Sequence, residues 1–178
     1  MALTLLCVGC SSSGTSDYVV DSSSHVAVDA ATTCDRTALE REVARGLDPN
    51  QPAPTYSIVF IAAAGQLGLL GDCVEAVRYL ISIGGEVGGV QVAEQVFRRG
   101  DDTQERIDYS TTSLMLAARM QQDPAVIRLL VDNGADPCWQ LPPEVAAYED
   151  AAGIIEVAEA NAPPAVVDAL REAVAEHC

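Results

Sequence analysis

The chain has 178 residues, 49% of them hydrophobic and only 4% aromatic, which fits one small domain plus a tail whose core is built from Ala, Val, Leu and Ile. Its formal net charge of −16 opposes contact with phosphate backbones, so nucleic acid is excluded as an expected partner. All ten cationic side chains are arginine, a bias of composition or salt adaptation more than a binding signature.

Taken in chain order, residues 1–10, MALTLLCVGC, form a short apolar run. It falls well below the roughly 20 apolar residues that span a bilayer. Val8-Gly9-Cys10 resembles the end of a bacterial lipoprotein signal peptide, in which small residues precede a cysteine that is acylated and becomes the new amino terminus. That resemblance makes Cys10 the expected lipidation site and implies an envelope protein, with Ser11 matching the outer-membrane sorting pattern. The expected location is the periplasmic face of an outer membrane, with the cytoplasm as the alternative. A start assigned too far downstream would account for the missing basic region and the shortness of the run. Cys7 and Cys10 also form a C-x-x-C, but no strand-to-helix context supports redox chemistry and no second ligand pair supports zinc. Residues 11–33, rich in Ser, Asp, Ala and Thr, read as a flexible tether ahead of a folded domain over 34–178.

Within that domain, Thr112-Ser113-Leu114-Met115-Leu116-Ala117-Ala118 opens a helix, Val126, Ile127, Leu129 and Leu130 follow at helical spacing, and Gly134 closes the second helix. This stretch resembles an ankyrin repeat, with Ser113 and Met115 where the family has proline and histidine. Ile154 to Ala158 and Pro164 to Leu170 repeat Leu114 to Ala118 and Pro124 to Leu130 at a constant offset of 40 residues. Upstream, Ser57 to Ala63 and Val77 to Ile81 with Gly84-Gly85-Glu86 form another copy. Leu39, Val43 and Gly46-Leu47-Asp48-Pro49-Asn50 read as the second helix and turn of a degenerate first unit.

The resemblance implies an all-α ankyrin-repeat solenoid of about three to four helix-turn-helix units with β-turn fingers. Its capping units would present Glu40, Arg41, Glu42, Arg171, Glu172 and Glu176 outward. A generic helical bundle explains the amphipathic helices but not the recurrent glycine.

Cys34 and Cys73 fall at nearly equivalent repeat positions, as do Cys138 and Cys178, so each pair is a candidate disulfide. Packed helices about 8 to 10 Å apart exceed the roughly 7 Å that a bridge allows between Cα atoms. Free buried thiols are the other reading.

No catalytic constellation is present: His25 lies in the expected tether, His177 lies in the last few residues, and Asp101-Asp102 and Glu149-Asp150 lie in connections. No cofactor, metal or small-molecule substrate is expected.

The distance from capping glycine to the next opening box is 11 residues in the first connection, 28 in the second and 18 in the third. The second, without evident structure, carries Val90, Val92, Val96, Phe97, Arg98, Arg99 and Tyr109, and the third carries Trp139, the only tryptophan. Arginine and aromatic side chains anchor interfaces, which makes Phe97, Arg98, Arg99, Tyr109 and Trp139 the expected contacts. Packing of Phe97 and Trp139 against the helices is the other reading. The resemblance implies a non-catalytic module that binds a protein through its fingers, and the net charge of −16 points to a basic one. The alternatives are an immunity protein that neutralises a toxin, an assembly adaptor, or a cysteine-dependent enzyme using Cys73 or Cys138.

Overall fold

A computed structural model describes residues 22–53, 56–65, 72–98, 104–121, 123–149 and 151–178. Four helix-turn-helix units follow one another: α1 (Ser22–Thr32) with α2 (Arg36–Ala44), α3 (Ile58–Ala64) with α4 (Cys73–Ser82), α5 (Ser113–Met120) with α6 (Pro124–Asp132), and α8 (Ile154–Asn161) with α9 (Pro164–His177). A short extra helix, α7 (Pro143–Glu149), lies between the third and fourth units. First helices stack in the order α1, α3, α5, α8 and second helices in the order α2, α4, α6, α9, which produces two layers.

Side-chain caps set where the helices start. Asp35 accepts from the Ala38 N–H at 3.0 Å, Asp72 from Glu75 at 3.2 Å, Thr112 from Met115 at 3.1 Å and Asp123 from Ala125 at 2.8 Å. Each satisfies one orphan donor and stabilises its helix by about 1 kcal/mol. The ends are set by the backbone. Gly134 has φ 93°, its N–H bonds the Val131 carbonyl at 3.0 Å, and the Ala135 N–H bonds the Leu130 carbonyl at 3.0 Å. Gly84, at φ 99°, ends α4 in the same way. This left-handed cap carries no Cβ penalty only when the residue is glycine.

The core lies between the layers. Ala62, Ala63, Ala117, Ala118 and Ala158 are all 0% exposed, and Ile58, Leu80, Leu114, Ile127 and Leu170 fill the space around them. α5 is buried from Ser113 to Ala118 because α3 and α8 flank it and α6 packs beneath it.

The structure corrects three expectations drawn from the sequence. Residues 22–32 of the expected tether form α1, the first helix of the first unit, with Ala27 and Ala31 at 0% exposure. The helical spacing of Ala27, Ala30, Ala31 and Cys34 is carried by small residues, so it gives a weak apolar signal. Glu42, expected on an outer face, is buried and pairs with Arg45 at 2.7 Å. The enlarged second connection is not a structureless loop: β3 (Val90–Arg98) and β4 (Gln104–Thr112) form an antiparallel hairpin of nine register pairs, from Val90–Thr112 to Arg98–Gln104.

The alanine seam yields a direct test. Ala117 is fully buried between neighbouring first helices, so Ala117→Leu is expected to overpack the stack by about 1 to 3 kcal/mol. Thermal unfolding followed by circular dichroism should show a clear drop in Tm; an unchanged Tm would place this face outside the core.

Candidate interaction surface

The β3–β4 hairpin leaves the solenoid between the second and third units, and four contacts fasten its root. The Gln91 amide reaches Ser57 twice: its Oε1 accepts from the Ser57 N–H and its Nε2 donates to Ser57 Oγ, both at 2.8 Å. β2 (Tyr56–Ser57), which pairs with β1 (Pro52–Ala53), is thereby tied to β3. On the other strand, Thr112 caps α5, and Ser113 Oγ donates to the Val87 carbonyl at 2.7 Å. Tyr109 completes the root. Its ring lies under the Arg119 guanidinium, 5.2 Å from centroid to carbon, and Arg119 Nη2 donates to its hydroxyl.

Tyr109 is therefore not a surface contact, as expected from sequence, but a packed residue only 2% exposed. Its hydroxyl finds a partner inside, which is how buried tyrosines are usually accommodated. Of the other expected contacts, Phe97 pairs in register with Glu105 and Arg98 with Gln104 toward the far end of the hairpin, while Arg99 lies outside the described residues. Trp139 sits on the third connection and packs half-buried against the core. Cys10 also lies outside the described residues.

What the hairpin does present outward is apolar. Val90 and Val92 are 51% and 59% exposed, two of the four large hydrophobic residues exposed among the described ones. They are alternate residues on β3 and so share one side of the ribbon. Exposed aliphatic residues at adjacent same-face positions form a patch, whereas single ones need no explanation.

The charged residues divide by face. Along the second helices three arginines are engaged with carboxylates of their own or a neighbouring unit: Arg36 binds Glu40 at 2.8 Å and Glu75 at 3.1 Å, Arg128 faces Glu172 at 3.5 Å, and Arg171 binds Glu159 at 2.5 Å. The hydrogen bond to Glu40 raises the Arg36 pKa above its ordinary value. Such exposed pairs contribute little stability, but they neutralise the helical face. Asp48, Glu86 and Asp136, at equivalent places after the capping glycines of the first three units, are exposed on the finger side.

The cysteines are brought together in two pairs. Cys34 is bridged to Cys73 with a Cα separation of 4.9 Å, and Cys138 to Cys178 with 5.7 Å. The helix-spacing objection does not apply, because Cys34 lies in the α1–α2 turn at φ 54° and Cys138 lies in a loop. Cys73 and Cys138, the thiols a cysteine-dependent enzyme would use, are thus both occupied. Among the described residues no group of His, Cys, Asp and Glu is arranged to hold a metal ion, and no helix is long and apolar enough to cross a membrane.

A family model described as Ankyrin repeat matches residues 110–140, which run from the end of β4 through α6 into the third connection. Among solved structures, the human ASB11 ankyrin repeat domain is similar at 20% sequence identity and a TM-score of 0.54, over 83% of this chain and 52% of that one. The present chain thus spans about half the length of that domain. No curated protein matches the chain in sequence. The fold is an ankyrin-repeat solenoid, an architecture that serves as a scaffold for protein–protein interaction.

The root of the hairpin can be probed through Gln91. Gln91→Ala removes both bonds to Ser57, and at about 1 kcal/mol per bond the Ser57 amide should exchange up to about 30-fold faster. Helical circular dichroism should stay unchanged. Unaltered exchange at Ser57, read by NMR, would mean that the hairpin is held without this contact.

Proposed function

We propose that the chain is a non-catalytic protein-binding module that captures a protein partner along its finger edge, chiefly at the β3–β4 hairpin. The observation that carries this reading is the pair of exposed valines, Val90 and Val92, on a hairpin whose root is anchored by buried contacts. A rigidly rooted ribbon with an apolar side offers contact area at low ordering cost. Trp139, on the next connection, adds a half-buried aromatic of the kind that dominates binding energy. The net charge of −16, with Arg36, Arg128 and Arg171 already paired to carboxylates, favours a basic partner.

The test is capture of the partner by immobilised protein. Replacing residues 94–108 with an Asn-Gly turn keeps the Ala93–Tyr109 pair and removes the distal hairpin. This change, Val90→Ser with Val92→Ser, and Trp139→Ala are each expected to weaken binding, the last by about 2 kcal/mol. Association should also slow as salt rises. Full affinity in all three variants would move the interface off the fingers.

We further propose that the module is exported and lipid-anchored through Cys10 on the periplasmic face of a bacterial outer membrane, with residues 11–21 as its tether. Val8-Gly9-Cys10-Ser11 supports this, as do two disulfides in a small domain, a pattern suited to an oxidising compartment. Expressed behind a functional leader, the protein should incorporate labelled fatty acid and Cys10→Ala should not. Equal labelling of the two would remove the anchor.

A further inference from the structure

The two disulfides differ in surroundings. Cys34 and Cys73 are 1% and 8% exposed, sealed between the first two units, whereas Cys138 and Cys178 are both open to solvent. The exposed bridge also occupies a particular corner. Asp136-Pro137-Cys138 aligns with Asp48-Pro49-Asn50 of the first unit, and in both an aspartate Oδ1 accepts the N–H two residues on at 2.8 Å. From that corner Asn50 reaches the next unit with hydrogen bonds to the Gly84 carbonyl and the Glu86 N–H, both at 2.8 Å. Cys138 reaches the next unit with a covalent bond, to the C-cap of α9.

We propose that Cys138–Cys178 is a thiol–disulfide exchange site, and that its opening releases the third finger, with Trp139, from the end of α9, while Cys34–Cys73 is a closed structural staple. An incoming thiolate attacks one sulfur of the bridge, forming a mixed disulfide and expelling the other cysteine as a thiolate. A second thiol of the reductant then resolves the mixed disulfide. The bridge gains two electrons and two protons, and the reductant leaves as its own disulfide. Attack requires access to the bridge, and the exposed pair lies on the solvent side while the buried pair is reached only after local unfolding. Opening leaves the solenoid standing, because α9 still packs on α6 and α8. What it frees is the corner itself, which keeps the Asp136 turn, and the finger keeps the bridge from Gln140 to Gly153 but loses its covalent link to the end of α9. The site is independent of the reading of the chain as a binding module.

The experiment treats native, oxidised protein with reduced glutathione in one arm and a thioredoxin-type dithiol in the other, traps free thiols by alkylation at intervals, and maps them by mass spectrometry. Cys138 and Cys178 should become labelled at least about tenfold faster than Cys34 and Cys73. The monothiol arm should show a mixed disulfide on one of the exposed pair, and the dithiol arm should pass to two free thiols. Trp139 emission should change in step with opening, and should not respond to reductant when Cys138→Ser and Cys178→Ser are combined. Equal rates for the two bridges, or earlier opening of Cys34–Cys73, would overturn the exchange site. Complete opening with unchanged Trp139 emission would overturn the release of the finger.

Discussion

The close approach of first helices along the solenoid, permitted by Ala62 and Ala63 on α3, Ala117 and Ala118 on α5 and Ala158 on α8, constrains the rest of the structure. Interaxial distance follows the side chains at the contact. Alanine at these sites lets backbone and Cβ atoms meet, and the larger residues, such as Leu80, Ile127 and Leu170, fill the space between layers. This arrangement explains how a chain with 4% aromatic residues can close a core: among the described residues the fully buried aromatics are Phe60 and, at the edge, Tyr109. It also fixes the rise from unit to unit, and therefore where each connection leaves the stack.

The hairpin depends on that regularity. A two-stranded ribbon is marginal on its own in water, so its order depends on the contacts at its root. Gln91 joins β3 to Ser57 at the entrance of α3, while Tyr109 and Thr112 join β4 to α5. Both strands are thus referenced to adjacent first helices, and the alanine seam sets the distance between those helices. A change deep in the seam would shift the two anchors relative to one another before it unfolded anything. The binding properties of the ribbon and the packing of Ala117 are linked through this geometry.

Repeat pattern was legible in the sequence wherever large apolar residues and a capping glycine marked it. Val126, Ile127 and Leu130 before Gly134, and Val77 and Leu80 before Gly84, place α6 and α4. α1 was hidden because its buried stripe is alanine, inside a Ser-rich stretch whose composition suggests a tether. The hairpin was hidden for a different reason. Val90-Gln91-Val92 and Ile107-Asp108-Tyr109 alternate with the period of two that a strand requires, but a reading tuned to helical periodicity counts such a segment as loop. Tyr109 shows the limit of composition as a guide to interfaces. An aromatic in a long connection satisfies the preference for anchor residues, and only the position of Arg119 ten residues later reveals that it faces inward. Register and burial, the two quantities that decided it, arise from tertiary contacts that single-sequence periodicity does not encode.

The corner that follows each capping glycine shows how one repeat geometry is closed by different chemistry. In the first unit Asn50 donates to the Gly84 carbonyl and accepts from the Glu86 N–H, a neutral clasp of two hydrogen bonds. The corresponding residue in the second unit is Gly88, where a Cβ would lie 2.6 Å from the Gly134 carbonyl oxygen. There the backbones themselves are in contact, and no side chain fits. In the third, Cys138 is joined to Cys178. Contact at the corner is therefore common to all three junctions, and the residue type follows from how near the next unit comes. The glycine junction is also the one that carries the long hairpin, because β3 begins two residues after Gly88. Close backbone approach there holds the start of the ribbon against the third unit without a side chain, so Val90 and Val92 can remain outside the core. The covalent junction lies at the other end of the finger edge, beside Trp139. Three equivalent corners thus give the finger edge a hydrogen-bonded clasp at the amino-terminal side, a close backbone contact in the middle and a disulfide at the carboxyl-terminal side.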